Sequence, residues 1–115
     1  MEICGNTLGF AIMHEQLFYS PQAQLDLDEI YDYFSNELNN PDKGHGIVAD
    51  ILAAAEQIPG RALRYPPVGP LPFTTDVYRF ATVGNYLVFF RVVEETVYVD
   101  RVLYKRRDFI SLLGL

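Results

Sequence analysis

Five of the seven prolines in this chain of 115 residues fall between positions 59 and 76, together with Gly60 and Gly69. Proline removes a backbone donor and fixes φ, so neither a helix interior nor a central strand survives that stretch. It divides the chain into halves with different periodicity. Before it, apolar residues recur three and four positions apart. After it they crowd into β-branched and aromatic runs broken by short polar turns. A helical first half and a stranded second half, joined by a long ordered loop, are the expectation.

Residues 15–19 read as a short first strand that stops at Ser20-Pro21, an N-cap followed by proline at the first helical position. Ala23, Leu27, Ile30, Phe34 and Leu38 then form one apolar stripe. Asp26, Asp28, Glu29, Asp32 and Glu37 are assigned mainly to the opposite, acidic face. Asn39-Asn40-Pro41 breaks this helix. Ile47, Ile51, Ala54, Ala55 and Ile58 give a second stripe, so an antiparallel helix hairpin is expected, although Gly44 and Gly46 weaken the first turns of its second helix by about 1 kcal/mol each. Strands follow over 77–82, 86–93 and 96–104, separated by Gly84-Asn85 and Glu94-Glu95. Phe109, Ile110, Leu112 and Leu113 suggest a short C-terminal helix. The predicted fold class is α/β (α+β), ordered β-α-α-β-β-β, with the helix hairpin on one face of a small, mostly antiparallel sheet.

Half of the residues are apolar and sixteen are Phe or Tyr, which suits one domain with a real core. Residues 1–12 are expected to be a disordered extension and residues 13–115 the single domain. Cys4 has no partner for a disulfide, no secretory leader is evident, and no apolar run reaches the roughly 18 residues of a membrane span. A cytoplasmic location is the expectation. The net charge of −6 argues against a general nucleic-acid coat. That charge is unevenly placed: ten of fifteen acids but one of nine bases precede residue 59, so the halves carry about −9 and +3.

With two-residue turns in both hairpins, Phe90 faces Arg79 on one side and Val99 on the other. Arg79 and Arg101 then share a sheet face, while Arg91 shares the opposite face with Asp100 and Tyr104. A single bulge would reverse part of this assignment. Arginine suits bidentate binding of carboxylate or phosphate, so Arg79 and Arg101 are candidate binding residues, weighed against simple pairing with Asp76 or Asp100. Arg91 is assigned to Asp100. Tyr104, Lys105, Arg106 and Arg107 form the cationic exit of the last strand and complete the candidate surface. Tyr31, Tyr78, Tyr86 and Tyr98 are expected to fill space between helices and sheet. No metal or cofactor site is expected, because two distant histidines, one cysteine and scattered acids show no ligand spacing.

Tyr19-Ser-Pro-Gln-Ala23 leading to Asp26-Leu-Asp-Glu-Ile-Tyr31, Ile58-Pro-Gly60, Tyr78-Arg79, Gly84-Asn-Tyr-Leu-Val-Phe-Phe-Arg-Val92 and Arg101-Val-Leu-Tyr-Lys-Arg-Arg-Asp108 occur in that order. Over residues 16 to 109 the chain thereby resembles the RelE/ParE superfamily of bacterial type II toxin-antitoxin toxins, also called plasmid stabilisation proteins. The resemblance implies a small toxin neutralised by a cognate antitoxin, without a cofactor, as a dimer or as a hetero-oligomer with that antitoxin. RelE-like relatives cut messenger RNA on the ribosome. ParE-like relatives inhibit DNA gyrase.

The residues lean toward the ParE branch. No lysine lies between Lys43 and Lys105, His14 precedes the first strand, His45 sits between glycines, and Tyr104 stands where many ParE-like members carry histidine. A nuclease needs groups that hold phosphate, stabilise developing charge and move the proton of a ribose hydroxyl. The expectation is therefore a binding toxin acting on gyrase. The enzymatic alternative is a metal-independent, ribosome-dependent endoribonuclease using Arg79, Arg101 and Tyr104, and a third reading is a member that binds antitoxin but has lost toxicity.

Overall fold

The computed structural model describes residues 16–70 and 77–105. The expected N-terminal extension, the C-terminal helix, Asp76, Arg106 and Arg107 lie outside the described residues.

Strand β1, Gln16–Tyr19, runs into helix α1, Pro21–Asp32. Ser20 caps the helix: its Oγ accepts from the Ala23 N–H at 2.9 Å, and Pro21 occupies the first helical position, where no backbone donor is needed. A wider π turn, Tyr33–Glu37, continues the helix. The chain reverses through Asn39, whose positive φ of 52° asparagine tolerates better than most residues. Asn40 then caps helix α2, Pro41–Glu56, its Oδ1 accepting from the Lys43 N–H at 3.2 Å. Helix α2 thus starts at Pro41 despite its two early glycines. Gly44 has a steric reason to be there: a Cβ at this position would stand 3.1 Å from Phe34 Cβ and 3.2 Å from Tyr31 Cδ1, so its absence lets the helices approach.

The proline-rich stretch holds a 3-10 turn, Ala62–Arg64, and strand β2, Pro67–Pro70. Its prolines are tolerated because β2 is an edge strand. Strands β3 (Val77–Val83), β4 (Tyr86–Val93) and β5 (Thr96–Tyr104) form the expected meander. Gly84 supplies the positive φ of 59° at the first turn, whereas Glu94 adopts 58° at the second, a conformation unusual for a residue with a Cβ. The sheet order is β1-β5-β4-β3-β2, with β1 parallel to β5 and every other pairing antiparallel. The fold class agrees with the sequence reading, with the addition of β2.

Both apolar stripes bury as expected through Ala23, Ile30, Phe34, Ile51, Ala55 and Ile58, against Val88, Phe90, Val97, Val99 and Val102 of the sheet. Full burial of side chains such as Ile51, Ile58 and Phe90 contributes about 1.5–3 kcal/mol each. A smaller cluster, Leu87, Phe89 and Leu103 with Val68 and Phe80, lies on the other sheet face. Leu38, at the end of the first stripe, is exposed, because the π turn carries it out of phase. Asp26 departs in the other direction. It was assigned to the acidic face but is buried.

Candidate functional site

The strand register decides where the late cations point. Arg79 pairs with Phe90, and Phe90 with Val99, as expected from two-residue turns. Beyond Val99, however, Phe89 pairs with Arg101, so Asp100 is an extra residue on β5. This bulge sets Arg101 opposite Phe89, on the β5 edge that β1 leaves open and from which its side chain reaches round to α1, while Arg79 stays on the helix-side face with Phe90. The expected shared face of Arg79 and Arg101 is therefore corrected. The same slip moves Tyr104, paired with Tyr86, to the helix-side face, away from the Arg91 and Asp100 it was expected to join.

Each of the three sheet arginines is held by an internal partner. Arg101 reaches Asp26 of α1 through Nε at 2.9 Å and Nη2 at 3.0 Å, and the Val102 N–H donates to the same carboxylate at 2.9 Å. Hydrogen bonding to Asp26 holds the Arg101 guanidinium above even its ordinary range, against the opposing effect of burial. Arg79 Nη1 donates to the Tyr65 carbonyl at 2.7 Å, not to Asp100. Arg91 donates to Asp100 at 2.8 Å, the predicted pair, and lies 4.9 Å over the Tyr98 ring. The Tyr78 hydroxyl donates to the same Asp100 oxygen at 2.8 Å. Tyr78 and Tyr98 thus belong to the face away from the helices, a correction to their expected place beneath them; Tyr86 does lie between helix pair and sheet.

Asp26 carried a readable sign. It lies three residues after Ala23 and four before Ile30, on the stripe that buries. β1 stops pairing with β5 at Val99, which leaves the β5 edge beyond it to α1. There the Ser20 hydroxyl donates to the Asp100 carbonyl at 2.8 Å, and the Asp26 carboxylate accepts the Val102 N–H. The start of α1 thereby satisfies the backbone of the bulge.

Among the described residues, a concavity of about 670 Å³ lies between α1, the π turn, α2, the β3–β4 turn and the end of β5. Tyr33, Tyr86 and Tyr104 line it over a floor containing Ile30 and Val102. Glu29, Asp50 and Lys43 are its exposed charged residues. Tyr86 and Tyr104 meet edge to face with centroids 5.7 Å apart. Burial raises the Tyr86 phenol above its ordinary 10.0, and Tyr104 and Tyr33 push it the same way, so it is a neutral hydroxyl at physiological pH. Lys105 is exposed, and its N–H bonds the Asn85 carbonyl beside this groove. His45 is also exposed and packs against Tyr31, with centroids 4.7 Å apart.

The structure therefore brings Tyr104 and Lys105 to one end of the groove and separates them from Arg79 and Arg101. Tyr33, Glu29 and Asp50 also line the groove, and no motif in the sequence singles them out as a site. Their convergence depends on how the helix pair sits over the β3–β4 turn.

Residues 17–109 match the profile of the ParE toxin of the type II toxin-antitoxin system, parDE. The chain belongs to the ParE toxin family. Membership in this ParE family implies an antitoxin as partner. Among solved structures, the chromosomal ParDE toxin-antitoxin system from P. aeruginosa superposes with a TM-score of 0.62 at 24% identity, over 77% of this chain and 94% of that one. That likeness shows a shared fold. Among curated proteins none matches. Among the described residues, no helix is long and apolar enough to cross a membrane.

Proposed function

We propose that this ParE-family protein is a toxin that, when free of antitoxin, inhibits DNA gyrase by binding it. The supporting observation is the commitment of the sheet arginines to internal partners. A guanidinium whose Nε–Nη2 edge already makes a two-point contact with a buried carboxylate, as Arg101 does with Asp26, cannot offer that edge to a phosphate without breaking the contact. Arg79, Arg101 and Tyr104, the trio of the nuclease alternative, are directed to a loop carbonyl, a helix carboxylate and the groove respectively. This arrangement favours binding over phosphodiester chemistry.

In this reading Arg79 and Arg101 shape the sheet that presents the contact surface. Tyr104 and Lys105, followed in the chain by Arg106 and Arg107, provide the contacts at the exit of β5. The reading also carries a cytoplasmic location, where gyrase works. The decisive experiment adds purified chain to a gyrase supercoiling assay and, in parallel, follows translated messenger RNA after expression without antitoxin. Loss of supercoiling with intact messages is expected. Early cleavage of translated messages with gyrase unaffected would replace this reading with the ribosome-dependent nuclease.

A further inference from the structure

We infer that the tyrosine-lined groove receives a cationic side chain, Arg or Lys, carried on an apolar segment of the antitoxin. The inference rests on the toxin-antitoxin reading above and assigns the chemistry of the antitoxin contact.

Three observations converge on a cation. The first is aromatic: Tyr33, Tyr86 and Tyr104 line one concavity, and ring faces attract an ammonium or guanidinium within about 6 Å of their centroids. The chain already uses this contact on the groove's wall, where Lys43 Nζ stands 5.8 Å over the Phe34 ring. The second is charge. Between Pro21 and Glu56 the helix pair carries eight acids and a single base, Lys43. Of the three carboxylates lining the groove, Asp26 is engaged by Arg101, while Glu29 and Asp50 are exposed to a partner. On the groove wall the two exposed carboxylates outnumber the one cation, Lys43, which favours a cationic segment over an anionic one.

The third is apolar surface. Tyr33, Leu38 and Tyr104 are 51%, 49% and 38% exposed, a concentration of large side chains that marks a partner surface when it lines a groove rimmed by charge. A free cation would leave that surface wet. A cation flanked by Leu, Ile or Val on a protein segment would cover it.

Because groove-lining Tyr104 immediately precedes Lys105, whose N–H bonds the carbonyl of groove-lining Asn85, an occupant of the groove also crowds Lys105 at the exit of β5. Occupation would therefore compete with whatever the exit binds, which gives antitoxin binding a direct steric route to neutralisation.

The test uses the cognate antitoxin and short overlapping peptides that tile it, titrated onto the toxin by fluorescence anisotropy. The strongest-binding peptide should carry Arg or Lys among apolar residues, and replacing that residue by Gln should weaken binding about tenfold. The toxin variant Glu29→Gln with Asp50→Asn, both positions exposed, should weaken the same peptide similarly and leave the thermal unfolding midpoint unchanged. The two losses should be less than additive when combined, because they remove one interaction. A best-binding peptide without a basic residue, or unchanged affinity in the double variant, would overturn the groove assignment while leaving antitoxin binding in place. Absence of binding by the whole antitoxin would overturn this assignment and the toxin-antitoxin reading together.

Discussion

Asp26 is 4% exposed and accepts three hydrogen bonds from β5, two from Arg101 and one from the Val102 N–H. Removing it strands a guanidinium and a backbone donor, so Asp26→Ala should destabilise the fold by about 3–5 kcal/mol, read from urea unfolding. Asp26→Asn, which keeps one acceptor, should cost less. An Asp26→Ala variant as stable as the parent would show that the contact is dispensable. At alkaline pH the residues to watch are Tyr86 and Tyr19, both raised chiefly by burial, Tyr19 also by Glu56. These phenols hold their protons more tightly folded than unfolded. Their contribution to stability is thus intact below the unfolded value of 10.0 and is lost as pH rises from there through the folded value. Urea unfolding across that range should show stability falling with pH, and Tyr86→Phe should make the decline shallower.

At the scale of elements, the two glycines of α2 separate helix propensity from packing. Both lie inside the helix, where Ala is favoured by about 1 kcal/mol. Gly46 faces open space, so Gly46→Ala should stabilise by about that amount. Gly44 is pressed against Phe34 and Tyr31, so Gly44→Ala should gain less or destabilise. Thermal midpoints of the two variants make the comparison, and equal gains would mean that the helix pair can part without cost. Ser20 joins elements in another way, capping α1 through Ala23 while its hydroxyl donates to Asp100. Ser20→Ala should cost about 1–2 kcal/mol in chemical denaturation, more than Asn40→Ala, whose cap bond is exposed and makes no contact across the fold.

For the whole molecule, the acidic helix pair and the end of β5, where Tyr104 precedes the exposed Lys105, lie on either side of one groove. Binding of an antitoxin to the folded chain alone must raise apparent stability by mass action. At an antitoxin concentration a thousand times its dissociation constant the gain is about 4 kcal/mol, measurable as a concentration-dependent melting temperature. A melting temperature indifferent to antitoxin would contradict binding to the native toxin.

The periodicity of the sequence determined the helix hairpin and the three-stranded meander, because each follows from local dihedral preference and side-chain spacing, whereas the edge strand β2 in the proline-rich stretch, expected as a loop, came from pairing with β3. Local charge spacing also determined the Arg91–Asp100 pair, which is formed between neighbouring residues of one hairpin. The tertiary structure alone decided the faces of Arg101 and Tyr104. One extra residue at Asp100 inverts everything beyond it on β5, and that bulge is held by Ser20 and Asp26, some eighty positions earlier in the chain. No pattern in the strand itself encodes contacts of that separation. The groove has the same origin, since its tyrosines and acids come from segments that meet only when the helix pair closes over the β3–β4 turn.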